Sequence, residues 1–414
     1  MASLADRLKA LGVKIGTADL PTPAPKARAN VAVEEVLDGR WIETRQGPAF
    51  VCESLYPLEY RHGLAALFSQ TPLHNLAHWA GDMRIHDMPI GKFAFLDTET
   101  SGLSGGTGTY AFLVGIGRFE KEHFKLQQFF MRDPAEEGAL LEAIIDFLAP
   151  CEALVTFNGK AFDAPLLRTR YALHNIPVPF ADYAHVDLLP LARRLWRDRL
   201  PSRALKYLEE EIMRAPRTVE EVPGYEIPWI YFDFLRSGDA GPLKGVFYHN
   251  AMDIVAMTAL FNHTAAMLAD PHLADIEHGL DVIALARLFE DLGKWDDAAR
   301  LYERGLEIGL PEASFGEAVR RYSALQRKRG DMQSALRLWE RAAGEGHIYA
   351  HVELSKHYEH RERDIREALR WATSALALSQ AASLPAYIRK HWQDEVGHRI
   401  ERLEKKLGTS HKQE

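Results

Sequence analysis

Cysteine is scarce: Cys52 and Cys151 are the only two in the chain. Two are too few for a zinc cluster and argue against a disulfide framework. Long apolar runs are missing as well. No uninterrupted stretch of about 18 or more apolar residues occurs, so no membrane span is expected. Residues 1–12 have neither a long apolar core nor a small-residue cleavage site. A secretory signal is therefore not expected, and a cytoplasmic location is. Positive charge is not in excess either. The net charge of −8 argues against wholesale electrostatic binding to nucleic acid, while leaving room for a local basic track. What is present is an ordinary globular composition over 414 residues, enough for two or three units.

The first chemical signal is Phe93-Ala94-Phe95-Leu96-Asp97-Thr98-Glu99-Thr100-Ser101-Gly102-Leu103. An apolar run ends in two acids at i and i+2, then turn residues. Alternate side chains of a strand share a face, so Asp97 and Glu99 point the same way at the exit of a buried strand. Carboxylates held side by side repel, and a cation between them relieves the repulsion. Oxygen ligands of this kind suit Mg2+ or Mn2+. Spacing alone leaves open a strand that simply ends in polar residues.

The neighbouring sequence supplies a frame. Strands are predicted over Phe93–Asp97, Tyr110–Phe119 and Phe124–Phe130, then Ala153–Phe157 and Ala184–Leu189. Helical spacing of Leu140, Leu141, Ile144, Ile145 and Leu148 marks a helix from Glu136, and another is expected from Phe162 to His174. This order predicts a mixed β-sheet flanked by helices, an α/β fold. The Gly-rich segment 102–109 is followed by a strand and lacks a Lys-Ser/Thr pair, so it reads as a wide turn rather than a phosphate loop. Ahead of the sheet, residues 4–11 fit a short amphipathic helix, residues 21–28 a Pro-rich linker, and Ala49–Cys52 a strand.

Two more places carry acids. Asp163 lies in the first turn of the helix after Asn158-Gly159, where the helix dipole alone would favour it. In Tyr248-His249-Asn250-Ala251-Met252-Asp253, His249 and Asp253 are i, i+4 on a helix and share a face. With Asp97 and Glu99 this makes four carboxylates and one imidazole, a set suited to two divalent cations, Mg2+ or Mn2+, with a base beside them. Together the three segments resemble the exonuclease motifs of the DEDD superfamily, proofreading 3′→5′ exonucleases with a ribonuclease H-like fold. Within it the chain most resembles YprB-type proteins, which join such a domain to C-terminal tetratricopeptide-like helices.

The resemblance implies that Asp97, Glu99 and Asp253 hold one cation and Asp97 with Asp163 a second, with His249 as the base. It implies release of nucleoside 5′-monophosphates from a 3′ end, DNA favoured over RNA, and a DNA-repair setting with a helicase as candidate protein partner. The spacing departs from the family in one respect. Its His-type members place the histidine five residues before the last Asp, and its Tyr-type members place a tyrosine four before. Here His249 stands four before Asp253 and Tyr248 five before. Positions i and i+5 on a helix lie about 140° apart, which favours His249 and leaves Tyr248 as the alternative. Asp187, at the end of the fifth strand, is expected to be structural.

Thr100, Asn158 and Phe162, beside the acids, are expected to contact substrate, as is Arg203. Arg203 belongs to a stretch, residues 193–217, with eight Arg and Lys against four acids. That stretch reads either as a phosphate track or as a helix with internal ion pairs. Trp229, Tyr231 and Phe232 are expected in a loop, stacking bases or packing it, with Trp229 in the packed role. From Gly279 onward the pattern is helical. Ala298, Ala335 and Ala368 head similar segments 37 and 33 residues apart, with Gly305, Ala342 and Ala375 seven further on. A period near 34 is that of tetratricopeptide repeats, which offer a concave surface to a protein or peptide or cap the neighbouring domain. The expected organisation is residues 1–44, an N-terminal helix and linker; 45–270, the exonuclease domain; 279–403, the repeats; and 404–414, a polar tail. An RNA-directed exonuclease and a catalytically weak adaptor are the alternatives.

Overall fold

The computed structural model describes residues 31–102, 108–217 and 221–410. The expected helix at 4–11 and the linker at 21–28 lie outside them. After α1 (Val33–Val36), a hairpin of β1 (Gly39–Thr44) and β2 (Gly47–Pro57) turns through Arg45 and Gln46. A small ribbon follows, β3 (Arg61–His62) with β4 (Ala65–Ala66), and then α2 (His74–Ala80). The central strands are β5 (Phe93–Thr100), β6 (Ala111–Phe119) and β7 (His123–Phe130). They lead through α3 (Glu137–Leu148) to β8 (Ala153–Thr156), and through α4 (Asp163–Leu173) to β9 (Ala184–Asp187). The strand order is β1-β2-β7-β6-β5-β8-β9. The β5–β8 and β8–β9 pairs are parallel and the other pairs antiparallel.

The mixed sheet with flanking helices is the predicted one, with a difference at its edge. It starts at Gly39, inside the segment assigned to the N-terminal addition, because β1 pairs along its whole length with β2, which itself pairs with β7. The strand was not legible because its residues are mostly exposed and show no clean alternation.

The chain continues as α5 (Leu188–Trp196), α6 (Leu205–Glu211), α7 (Ile227–Ser237) and α8 (Leu243–Ala269). Helix α8 is the only described helix whose length and composition would let it cross a membrane, and 72% of its most apolar window is buried inside the protein. It is the core helix of the sheet. Among the described residues seven further α-helices follow: α9 (Gly279–Asp291), α10 (Trp295–Ile308), α11 (Glu312–Lys328), α12 (Met332–Gly344), α13 (Ile348–His357), α14 (Ile365–Ser379) and α15 (Ala386–Ser410). Ala298, Ala335 and Ala368 are fully buried at matching places on α10, α12 and α14. The C-terminal region is helical as expected, but its end is not a free tail. Helix α15 runs on to Ser410, and Lys406 reaches back 2.7 Å to the buried Glu359.

The core is continuous across the two regions. Phe93, Phe95, Val155 and Val186 on one face of the sheet join Ile254, Phe261 and Leu268 of α8, then Phe289, Tyr302, Tyr322 and Trp339. The opposite face, with Ala94, Leu96, Val114 and Ile116, is covered by α3 and α4.

Helix α8 comes close to the sheet because β6 carries glycine where the helix crosses. Asp97 pairs with Gly115 and Phe95 with Gly117. A Cβ at Gly115 would stand 2.2 Å from Asn250 Oδ1, and one at Gly117 would stand 2.8 Å from Ile254 Cγ2. Gly115→Ala is therefore expected to cost about 1–3 kcal/mol through overpacking. The readout is the thermal midpoint in EDTA. Gly91→Ala, whose methyl would meet only the Phe119 carbonyl at 3.5 Å, should leave that midpoint nearly unchanged.

Candidate active site

Strand alternation puts Asp97 and Glu99 on the face that α8 covers, opposite Gly115 and Leu113 of β6. Both are partly accessible at the strand's exit, where the register shifts between Glu99 and Thr100. Because β8 runs parallel to β5, the turn after β8 delivers Asp163, the first residue of α4, to the same end of the sheet. Asp187 builds that turn: its carboxylate accepts backbone N–H bonds from Asn158 at 2.7 Å, Lys160 at 3.1 Å and Leu189 at 3.1 Å. Its role is structural, as expected. Asn158 is held there with a φ of 70°.

Each acid is fixed by a neighbour. Asn250, fully buried on α8, donates to Asp97 Oδ2 at 3.0 Å and accepts from Gln128 at 3.0 Å. Thr98, on the other side of β5, donates its hydroxyl proton to Asp163. Asp253 is ion-paired with Arg217. His249 presents Nε2 to Asp253 Oδ2 at 3.6 Å and Nδ1 to Glu221 Oε1 at 3.4 Å. Tyr248, one position earlier, is on the side of Tyr56 and Tyr60, whose phenols its charge would disfavour ionising.

Arg217 is the centre of this network. Its side chain is 2% exposed and reaches Glu209 at 2.6 Å and Glu221 at 2.8 Å as well as Asp253. His62 backs Glu209 at 2.6 Å, and Lys206 backs Glu221 at 2.6 Å. The guanidinium's own pKa is raised: burial pulls it down, but the charges of Asp253 and Glu209 outweigh that. Glu221 is pushed up by burial and pulled lower on balance by Lys206 and Arg217.

Among the described residues the remaining acids have no such counter-ion. Burial first, then the charges of Asp253, Glu99 and Asp163, hold Asp97 far above the ordinary carboxylate range. Burial and the charges of Asp253 and Asp163 push Glu99 up to about 8, with Arg217 opposing. Asp163 is raised to about 6, chiefly by burial, despite its bond from Thr98. Among the described residues no three His, Cys, Asp or Glu side chains are gathered into a ready ligand shell. Asn250, Thr98 and Arg217 each engage one of the carboxylates. All-oxygen donors under mutual repulsion fit a hard divalent cation.

Several expected contacts fall elsewhere. Arg203 donates to the Leu200 carbonyl at 2.8 Å, and its Nε is buried, so it lies on no open track. The basic stretch as a whole is neither a track nor a set of intrahelical pairs. Arg199 binds Asp281 at 2.8 Å, Arg214 binds Glu277 at 3.1 Å and Arg194 binds Asp291, all acids from further along the chain. Thr100 donates to the Gly102 carbonyl at 2.9 Å. Phe162 is 55% exposed beside Asp163. Trp229 is on a helix, not in a loop, and is 68% exposed rather than packed; Tyr231 is the buried ring, stacked on Phe112 at 3.9 Å. Sequence reasoning missed Asn250, Gln128, Thr98 and Glu221. Asn250 had one signal, a lone polar residue in phase with the buried face that Phe247 and Ile254 define.

Residues 94–265, from the first acidic strand through most of α8, match the RNase_H_2 family of the RNase H superfamily. This defines the class: an RNase H-like nuclease domain, with nucleic acid as substrate and divalent metal ions as the cofactors such nucleases generally use. The chain is also 32% identical over 362 residues to the uncharacterized protein YprB of Bacillus subtilis (strain 168), covering 86% of this chain and 85% of that one. It belongs to the YprB family. A solved family B DNA polymerase from Pyrobaculum calidifontis matches 49% of this chain and 29% of its own at 14% identity with a TM-score of 0.35, too slight a likeness to bear on either fold or activity.

Two measurements follow. A carboxyl whose folded pKa is raised favours folding below its unfolded value and loses that contribution as pH rises through the folded one. For Glu99 the window runs from 4.5 to about 8. In EDTA, Glu99→Gln should therefore gain stability over the native protein progressively across that window, and a pH-independent difference would refute the assignment. Arg217→Met leaves Glu209, Glu221 and Asp253 without their shared cation. It is expected to cost about 3–5 kcal/mol in chemical denaturation, far more than Arg214→Met at the exposed Glu277 pair.

Proposed function

We propose that the chain is a metal-dependent 3′→5′ exonuclease that hydrolyses phosphodiester bonds of nucleic acid, with DNA as the favoured substrate. The observation that carries the reading is the mutual charge coupling of Asp97, Glu99, Asp163 and Asp253, from two strand positions and two helices, with His249 one turn from Asp253. Asp97, Glu99 and Asp253 would hold one cation, and Asp97 with Asp163 a second, Mg2+ or Mn2+. Bound divalent cations supply a water of lowered pKa and stabilisation of the leaving 3′ oxygen.

The protein's own groups do the rest. His249 Nε2 takes the proton of the attacking water as the phosphorus–3′ oxygen bond breaks, and the Glu221 carboxylate lies 3.4 Å from Nδ1 on the far side of the ring. Asn250 and Thr98 hold Asp97 and Asp163 on either side of the strand. The exposed ring of Phe162 offers a stacking surface for a terminal base beside Asp163. A role in DNA repair, with a helicase as partner of the helical region, rests on the family resemblance.

The test is cleavage of 5′-labelled DNA and RNA, single- and double-stranded, with Mg2+, Mn2+ or EDTA. A ladder shortening from the 3′ end, abolished by EDTA and by Asp253→Asn, is expected. His249→Ala should slow it by about 100-fold or more. Cleavage that begins internally would replace the exonuclease by an endonuclease. Preference for RNA would reverse the choice of substrate.

A further inference from the structure

A groove of about 770 Å3 opens among α11, α12, α13 and α15, away from the acids of the sheet. Its floor holds the buried ring of Trp339, with Met332 beside it. Five cations line it, Arg327, Lys328, Lys356, Arg361 and Arg399, against one carboxylate, Glu353. Three of the five are already engaged. Arg327 and Lys356 share Glu353 at 3.2 and 2.8 Å, and Arg399 binds the buried Glu359 at 2.8 Å. Among the described residues, Lys328 and Arg361 have no acidic partner, and both are exposed.

Two further features mark the groove as a binding site. His357 lines it at 8% exposure; its Nε2 faces the Glu362 carboxylate at 3.3 Å, and its Nδ1 is buried without a hydrogen-bond partner. A buried nitrogen left unsatisfied is destabilising, and a bound water would relieve it. The wall next to it, Tyr358–Glu362, is a π-helical turn ending at Arg363 in the left-handed region, with φ 57°. Such turns are rare and gather at functional positions. Here the turn carries His360 and Arg361 into the groove and turns Glu359 inward, where Arg399, Arg402 and Lys406 of the last helix fix it.

We propose that this groove docks a short acidic peptide segment of a partner protein, an apolar side chain seated against Trp339 and Met332 and carboxylates on Lys328 and Arg361. Charge complementarity selects the occupant. A nucleic-acid strand needs a run of unengaged cations along its backbone. The groove offers two, set about a small enclosed floor. That matches one apolar anchor with flanking carboxylates rather than a phosphate backbone. The proposal deepens the reading of the helical region as a partner surface and is independent of the nuclease chemistry.

The test selects short random peptides displayed on phage against the immobilised full-length chain. Enriched sequences are then synthesised and titrated by fluorescence anisotropy. Peptides with two or more acids around an apolar residue are expected. Their binding should weaken about tenfold or more in Lys328→Glu/Arg361→Glu and be unchanged in Asp253→Asn. The charge-reversed protein should cleave nucleic acid like the native one, so failure of the groove and failure of the nuclease reading are told apart. Enrichment without acids, or binding untouched by the reversal, would overturn the proposal. So would an equal loss of single-stranded DNA binding when the reversal is made in Asp253→Asn, which would assign the groove to nucleic acid.

Discussion

Mutual repulsion among four carboxylates at the end of one strand is the constraint around which this fold is arranged. Asp97, Glu99, Asp163 and Asp253 come from elements far apart in sequence, and nothing in their own chemistry keeps them together. A water-filled surface would screen them, but the crevice between β5 and α8 does so poorly. The protein answers with three different devices: an amide for Asp97, a hydroxyl for Asp163 and a buried guanidinium for Asp253. Only the last neutralises charge. Asp97 and Glu99 are left as the acids whose ionised forms most need a cation from outside, which is what the proposed metal-dependent site would supply.

Helix α8 makes the same site depend on the rest of the molecule. Its first turns carry His249, Asn250 and Asp253, while its later turns enter the core shared with the C-terminal helices. The arginines after β9 strengthen that union. Arg199 reaches Asp281 of α9, and Arg287 of α9 reaches back to Asp198 at 2.7 Å. A helical region joined through an apolar core and reciprocal ion pairs is part of the nuclease body. Its far end has a separate small core around Ile348, Val352, Ala372, Val396 and Leu403, and the proposed peptide groove opens beside it over Trp339 of the shared core.

Periodicity carried most of the fold and the acids into view. Asp97 and Glu99 were legible because a strand alternates, and His249 with Asp253 because a helix repeats every 3.6 residues. What escaped was non-local. The partners of Arg194, Arg199 and Arg214 lie far along the chain, so counting charge within residues 193–217 suggested a basic surface where the structure makes ion pairs. Arg217 was visible as a positive charge but not as the one buried under Asp253. Trp229, Tyr231 and Phe232 were expected in a loop but lie on α7, which carries Pro228 in its first turn. Proline in a first turn starts a helix as readily as it prevents one. Once it is a helix, Trp229 falls opposite Ile227 and Tyr231, and is exposed.

The unusual spacing of the histidine finds its physical reason in three consecutive residues of α8. Tyr248 turns toward Tyr56 and Tyr60, near β2; His249 faces Glu221 and Asp253; Asn250 points into the sheet over Gly115. Successive positions on a helix are about 100° apart, so these directions are linked. Rotating α8 to bring Tyr248 over Asp253 would withdraw Asn250 from Asp97 and Gln128, and Ile254 from its place against Gly117. The glycines on β6 leave room for the helix in one orientation. Given that orientation, the imidazole stands in the cleft at four residues before Asp253, and a histidine at five before would point toward the two tyrosines instead.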